Sequence, residues 1–361
     1  MGLMPIVKKL ALGILSPLFI VLLFATAFDI GFVRTVTHPA TVKKLVADSG
    51  VYNSVTSNLL SQTGTISTSL GDVPTSDPAI QQAAKVALPP QFIQENTEMA
   101  IDNIYDWLDG RIAQPDFSID LTGAKTLFAN NVADSVQKRL NGLPACSAAE
   151  SRAIVQSGSF DAYNAACLPT GISPATVAEQ VKSGILSNRS FLSNTTLTAA
   201  SVKNGGSNQS LFSGQLKNAP KQYQNAKKTP FILAVLTILT GAGIVFLSRS
   251  WQRGLRHIGI NLLVIGLVML LFSWGLNRAA ANDIVPKIKF DNAVFERDIR
   301  NLTTDLVQQI DRNYWFFGGL YTVLGVGGIA AAEVFRRRSE PAKAPASADA
   351  LGGDTPDHKP A

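Results

Sequence analysis

Three stretches of this chain, residues 10–28, 230–247 and 258–276, contain no charged side chain, and a fourth, 314–334, contains only Glu333 near its end. A bilayer core about 30 Å thick is crossed by about 20 helical residues, because lipid offers the backbone no partner and a helix satisfies its own N–H and C=O groups. Core helices of water-soluble proteins seldom stay uncharged for so long. The sequence therefore predicts a mainly α protein: a four-helix transmembrane bundle, with a large, mostly helical extracytoplasmic domain inserted between spans 1 and 2. Aromatic residues mark the interfaces, with Trp251 after the second span, Trp274 near the end of the third, and Tyr314 and Trp315 opening the fourth.

The predicted organisation runs as a cytoplasmic N-terminus (1–9), a signal-anchor-like transmembrane helix (10–33), the extracytoplasmic helical domain (34–229) and a second span (230–248). A basic cytoplasmic loop (249–257), a third span (258–276), an outer amphipathic helical segment (277–313), a fourth span (314–335) and a disordered cytoplasmic tail (336–361) follow. Orientation rests on basic flanks: Lys8 and Lys9 before the first span, Arg249, Arg253 and Arg256 between the second and third, and Arg336, Arg337 and Arg338 after the fourth. All lie on one side, which the positive-inside rule makes the cytoplasm. A multi-pass cell-membrane protein with both termini cytoplasmic is expected. The segment between spans 3 and 4 is also basic, with Arg278, Lys287, Lys289, Arg297, Arg300 and Arg312, and counts against this assignment. The flank of the first span and the cysteines decide it. Ala25-Thr26-Ala27 fits a signal cleavage pattern after Ala27, but Phe28, Ile30, Phe32 and Val33 continue the apolar stretch, so an uncleaved anchor is expected.

The net charge of +6 comes with no helix-turn-helix, zinc-finger or stacking-aromatic pattern, so a nucleic-acid partner is not expected; the lipid bilayer is. Cys146 and Cys167 belong to no CxxC and have no histidine near them in sequence. A disulfide is expected, which suits an oxidising compartment and contributes about 3 kcal/mol by loop entropy.

Within the large domain, Val42, Leu45 and Val46 mark one short helix ending at Gly50, and Tyr52, Val55, Leu59 and Leu60 mark a second. The Ser/Thr/Gly-rich stretch 61–76 reads as a mobile loop. A long helix over 91–109 carries Ile93, Thr97, Ile101, Ile104 and Leu108 on one stripe, with Tyr105 and Trp107 beside it and Gly110 as the stop. Phe117, Ile119 and Leu121 alternate like a strand, and helices are expected over 122–140 and 174–186. Residues 188–213 read as a flexible surface region. N-x-S/T matches begin at Asn188, Asn194, Asn208 and Asn301, and in so Asn/Ser/Thr-rich a stretch chance accounts for them. In the second outer segment Val294, Phe295, Ile299, Leu302, Leu306 and Ile310 form an apolar face whose natural partner is the large domain.

No catalytic motif emerges. The histidines, His38, His257 and His358, are scattered, and no phosphate loop, nucleophile elbow or HExxH pair is present, so no cofactor, metal or enzymatic activity is assigned. Asp102, Asp106 and Asp109 have the spacing of a solvated helix face. Gly318, Gly325, Gly328 and Ala332 give the fourth span a small-residue face for close helix packing, with Gly241, Gly259 and Gly266 as counterparts, and with self-association as a second use. Asn261, one turn inside the third span, is placed to bond another helix.

Gly50-Val51-Tyr52, Pro90-Gln91-Phe92, Tyr105-Asp106-Trp107-Leu108-Asp109-Gly110 and Phe117-Ser118-Ile119-Asp120-Leu121 together resemble a group of uncharacterised bacterial multi-pass membrane proteins. The resemblance implies one span, an outer helical domain and three further spans, and brings no activity with it. The functional expectation is a non-enzymatic envelope protein whose outer domain senses, binds or organises an extracellular ligand or another envelope protein. A transporter or channel component, and an enzyme with an outward-facing site, stand as alternatives.

Overall fold

A computed structural model describes residues 3–157, 160–188, 191–203, 209–248 and 250–339. The chain is mainly helical, and four of its helices are long and apolar enough to cross a membrane. They are α1 (Leu3–Val36), α9 (Ala219–Leu247), α10 (Trp251–Ala279) and α11 (Ala293–Ser339). Between α1 and α9 lie α2 (Pro39–Asp48), α3 (Val51–Thr63), α4 (Pro78–Ala87), α5 (Pro90–Leu108), α6 (Thr122–Asn141), α7 (Ala148–Ser157) and α8 (Pro174–Ser187). Four short strands accompany them: β1 (Thr65–Thr68), β2 (Gly71–Pro74), β3 (Ser118–Asp120) and β4 (Thr196–Thr198). Two compact units result. One is built from Met1–Phe24, Val235–Val268 and Phe317–Ala361, the other from Ala25–Ala234 and Met269–Phe316.

The helices run past the apolar windows that announce them. α10 begins at Trp251, so much of the stretch expected as a basic loop is helical. α11 joins the outer amphipathic segment and the fourth span in one helix of 47 residues, and carries on through Arg336 to Ser339 where a disordered tail was expected to start. Hydropathy locates the oily part of a helix, whereas backbone hydrogen bonding continues until a cap ends it, and α1 and α9 run on through Pro17 and Pro230. Arg249, Asn208, His358 and residues 340–361 lie outside the described residues, as do the side chains of Lys8, Lys9 and Arg338.

The larger unit has its core around α6, whose Phe128, Ala129, Val132, Val136 and Leu140 are fully buried against α4 and α8. Where a mobile loop was expected over 61–76, the chain forms a β1–β2 hairpin with Ile66 facing Val73, each 0% exposed. Each of the two gains about 1.5–3 kcal/mol from full burial, which offsets part of the entropy of ordering the hairpin. Gly71 turns the hairpin at φ 110°, and Ala162 N–H donates to Leu70 O at 3.0 Å, fastening its tip to the segment between the cysteines. That segment is closed by a Cys146–Cys167 disulfide, Cα–Cα 4.9 Å.

Of the region 188–213, expected to be flexible, residues 189–190 and 204–208 lie outside the described residues, and the part over 191–198 is anchored at two points. Phe191 is 1% exposed and packs on Phe128 with ring centroids 4.6 Å apart, and β4 pairs antiparallel with β3, Ile119 opposite Leu197. One aromatic and one three-residue strand hold a segment whose composition reads as linker. Asn188 has its carboxamide engaged, donating to Ser67 O at 2.9 Å and accepting from Phe191 N–H at 3.1 Å.

In the smaller unit the glycines of α10 and α11 let the two backbones touch. A Cβ on Gly266 would lie 2.9 Å from Gly318 O, and one on Gly325 would lie 2.8 Å from Gly259 O; Gly328 approaches Gly259 and Ala332 is buried. Phe19 of α1 lies over Gly241 of α9. Asn261 exchanges hydrogen bonds with Ser16 of α1 at 2.9 and 3.2 Å. Outward faces remain apolar, with Ile238 70%, Phe246 88% and Val323 69% exposed. Apolar area on that scale marks surfaces that meet lipid or protein rather than water.

Candidate functional site

The phrase Tyr105-Asp106-Trp107-Leu108-Asp109-Gly110 closes α5 and ties it to the ends of two long helices. α1 ends at Val36, and the last carbonyls of a helix lack intrahelical donors. Tyr105 Oη donates to Val36 O, and Tyr223 Oη of α9 donates to Thr37 O at 3.0 Å. Burial raises the Tyr105 pKa, so its phenol stays protonated and a donor. Asp109 accepts from Lys227 Nζ at 2.7 Å and from Arg111 at 3.0 Å. The Lys227 hydrogen bond lowers its pKa, with Arg111 acting in the same direction. Trp107 packs edge-on against Phe212, which also meets Phe117. Gly110 adopts φ 75°, with the Gln224 amide nitrogen 2.7 Å from where a Cβ would stand. Asp106 pairs with Arg111, and Asp102 with Lys43 at 2.5 Å, so the three aspartates of this helix serve ion pairs. The apolar stripe predicted for α5 is only half-buried, and Tyr105 and Trp107 beside it are the buried residues.

The half-buried stripe forms one wall of a cleft. Phe92, Ile93 and Thr97 of α5, Val55 and Leu59 of α3, and Ile119 and Leu197 of the β3–β4 pair surround a cleft of about 480 Å³. Its floor is Leu88 and Leu121, 4% and 7% exposed. Thr56, which also faces it, has its hydroxyl committed to Leu88 O at 2.9 Å, so the interior offers little for a polar ligand to bond. Asn96, Ser193 and Asn194 add polar groups to the lining. Volume and lining fall in the range of small-molecule sites, which are apolar with a few polar groups that set orientation.

Leu192 belongs to this cleft and to the main core at once, and takes φ 45°, the one positive value for a residue other than glycine among those described. Such a conformation costs on the order of 1 kcal/mol and persists where surroundings over-determine it. Here a buried ammonium assists: Lys125 Nζ donates to Asn188 O at 2.9 Å and Leu192 O at 3.4 Å. Burial lowers the Lys125 pKa. Sequence reasoning missed Lys125, since nothing in its neighbourhood on α6 signals that a lysine at that position points inward. The cleft was equally hidden, because it is bounded by segments up to about 140 positions apart.

Elsewhere, Asp161 anchors its own turn. Burial would raise its pKa, but hydrogen bonds from Asn164 and from the Tyr163 N–H outweigh that and lower it. Burial raises the Tyr163 phenol. Among the described residues no group of three or more His, Cys, Asp or Glu side chains is placed to hold a metal ion. Of the basic residues proposed to set topology, Arg253 and Arg256 lie in the first turns of α10, while Arg336 and Arg337 at the end of α11 pair with Glu333 at 2.7 and 3.6 Å. No family model, curated protein or solved structure matches the chain.

Proposed function

We propose that the chain is a multi-pass envelope protein of the cell membrane whose large domain faces away from the cytoplasm and binds a small, predominantly apolar ligand between α3, α5 and the β3–β4 pair. The cleft of about 480 Å³ carries this reading: its walls are apolar, and Thr56, the polar residue set deepest among them, is internally satisfied. The α9–α11 spans and the signal-anchor-like α1 serve as anchor. The disulfide supports the orientation, because such bonds persist in oxidising compartments, and the basic flanks favour a cytoplasmic location for both termini.

Two experiments test it. Full-length protein in nanodiscs is titrated with the uncharged dye N-phenylnaphthylamine, whose emission rises in apolar surroundings, beside the Ile119→Glu variant, which sets a carboxylate at the cleft. Emission above that of empty nanodiscs, lost in the variant while the thermal transition is kept, is expected; equal emission from both removes the cleft from the proposal. For orientation, Cys146 and Cys167 in intact cells are expected to react with a membrane-impermeant maleimide only after treatment with an impermeant reductant. Labelling confined to lysed cells reverses the topology.

A further inference from the structure

A second site lies where α1 and α11 leave the apolar zone. Arg34, His38, Arg312, Asn313 and Phe316 line a cleft of about 610 Å³ that carries two guanidinium groups and an imidazole. Arg34, His38 and Arg312 are exposed, and among the described residues neither arginine has a carboxylate partner; Arg312 donates to the neutral Gln309 Oε1 at 2.7 Å. Acids stand close by: Asp48, held by Lys44 at 2.7 Å, and Asp305 share an adjoining cleft with Arg312, Asp311 accepts from Ser273 and Asn277, and Asp29 lies five residues before Arg34 on α1. The lining of this cleft itself carries the three basic groups and no carboxylate.

The depth of this site matches a bilayer surface. In the sequence, Arg34 follows the uncharged stretch that closes at Phe28, and Arg312 stands two positions before the apolar stretch that opens at Tyr314. Stretches of that length cross a hydrocarbon core about 30 Å thick, so the residues that flank them fall at the level of lipid headgroups. Aromatic side chains crowd the same level: Phe32 46%, Trp315 59% and Phe316 65% exposed, with amphipathic tryptophan where an interface favours it. Asn313 itself is oriented by hydrogen bonds to Gly31 O, Thr35 Oγ1 and Gln309 O at 3.2–3.3 Å, which fixes one wall.

From these observations we infer that Arg34 and Arg312 bind the phosphate of an anionic phospholipid headgroup in the leaflet on the side of the large domain, with the acyl chains lying along the exposed apolar faces of α1 and α11. Guanidinium suits this ligand because its planar fork meets phosphate oxygens bidentately. Two basic residues at a charged surface, each worth about 1 kcal/mol, give about a thirtyfold preference for anionic over zwitterionic lipid.

The test uses the full chain in detergent, loaded in turn with phosphatidylglycerol, phosphatidylcholine, diacylglycerol or inorganic phosphate, with retained molecules read by native mass spectrometry. Phosphatidylglycerol is expected to be retained about thirtyfold better than phosphatidylcholine and better still than diacylglycerol. In Arg34→Gln/Arg312→Gln that preference collapses while the thermal transition is kept. Equal retention of diacylglycerol and phosphatidylglycerol by the native sequence overturns the inference without any variant. So does an undiminished preference in the folded double variant. Arginine-dependent binding of inorganic phosphate that excludes phosphatidylglycerol would make the cleft a site for a soluble phosphate and overturn the lipid assignment.

Discussion

Replacing Gly325 with alanine would set a methyl carbon 2.5 Å from the Leu263 backbone nitrogen, 2.9 Å from Leu263 Cα and 2.8 Å from Gly259 O. Carbon meets such neighbours comfortably at about 3.5 Å, so α10 and α11 must part by about 1 Å at this crossing. A gap of that size forfeits a quarter to a half of the dispersion energy of each atom pair along the seam, and overpacking of this kind costs about 1–3 kcal/mol. Gly327, two positions along α11, meets nothing within 4 Å. Alanine there changes only the intrinsic helix preference, a gain of up to about 1 kcal/mol that the Gly325 variant shares. The two variants should therefore differ by about 2 kcal/mol, roughly 30-fold in the unfolding equilibrium. Unfolding of both proteins in dodecyl maltoside/SDS mixed micelles, followed by tryptophan fluorescence, measures the difference. If Gly325→Ala proves as stable as Gly327→Ala, backbone contact at Gly259, Gly266, Gly318 and Gly325 is not what holds these helices together.

Reducing the Cys146–Cys167 bond should lower the stability of the large domain by about 3 kcal/mol, seen as an earlier urea midpoint with reductant than without. Asp109, whose pKa is held below 3.8 chiefly by the Lys227 hydrogen bond, contributes stability that is present above that value and is lost as pH falls through the folded pKa; Asp109→Asn should flatten the acid limb of a denaturation series. Lys125 has the opposite profile. Burial lowers its pKa below 10.5, so the unfolded chain holds the proton more tightly, and stability should rise as pH climbs from the folded pKa towards 10.5. Lys125→Met should remove that rise in an alkaline thermal-denaturation series.

The helical spans could be read from the sequence because a membrane helix satisfies itself locally: absence of charge over about 20 residues is the whole requirement, and neighbours barely enter. Helix punctuation was local too, and Gly50 and Gly110 take the left-handed conformations that their positions as stops imply. The cysteine pair was legible because two candidates allow one pairing. What escaped depends on distant partners. The hairpin over 65–74 owes its existence to the pocket that receives Ile66 and Val73, and the order of residues 191–198 owes its existence to Phe128 and to β3. Neither partner is within 50 positions of the segment it stabilises in the second case, so composition alone suggested linker. The cleft was invisible for the same reason, since Val55, Ile93, Ile119 and Leu197 come from segments far apart in the sequence.

α11 has a mechanical consequence. Its 47 residues make a rod about 70 Å long, with no proline in it and no break in its hydrogen-bond ladder. Along a flexible tether a push is dissipated in bond rotations, but such a rod bends only where backbone hydrogen bonds lengthen or break.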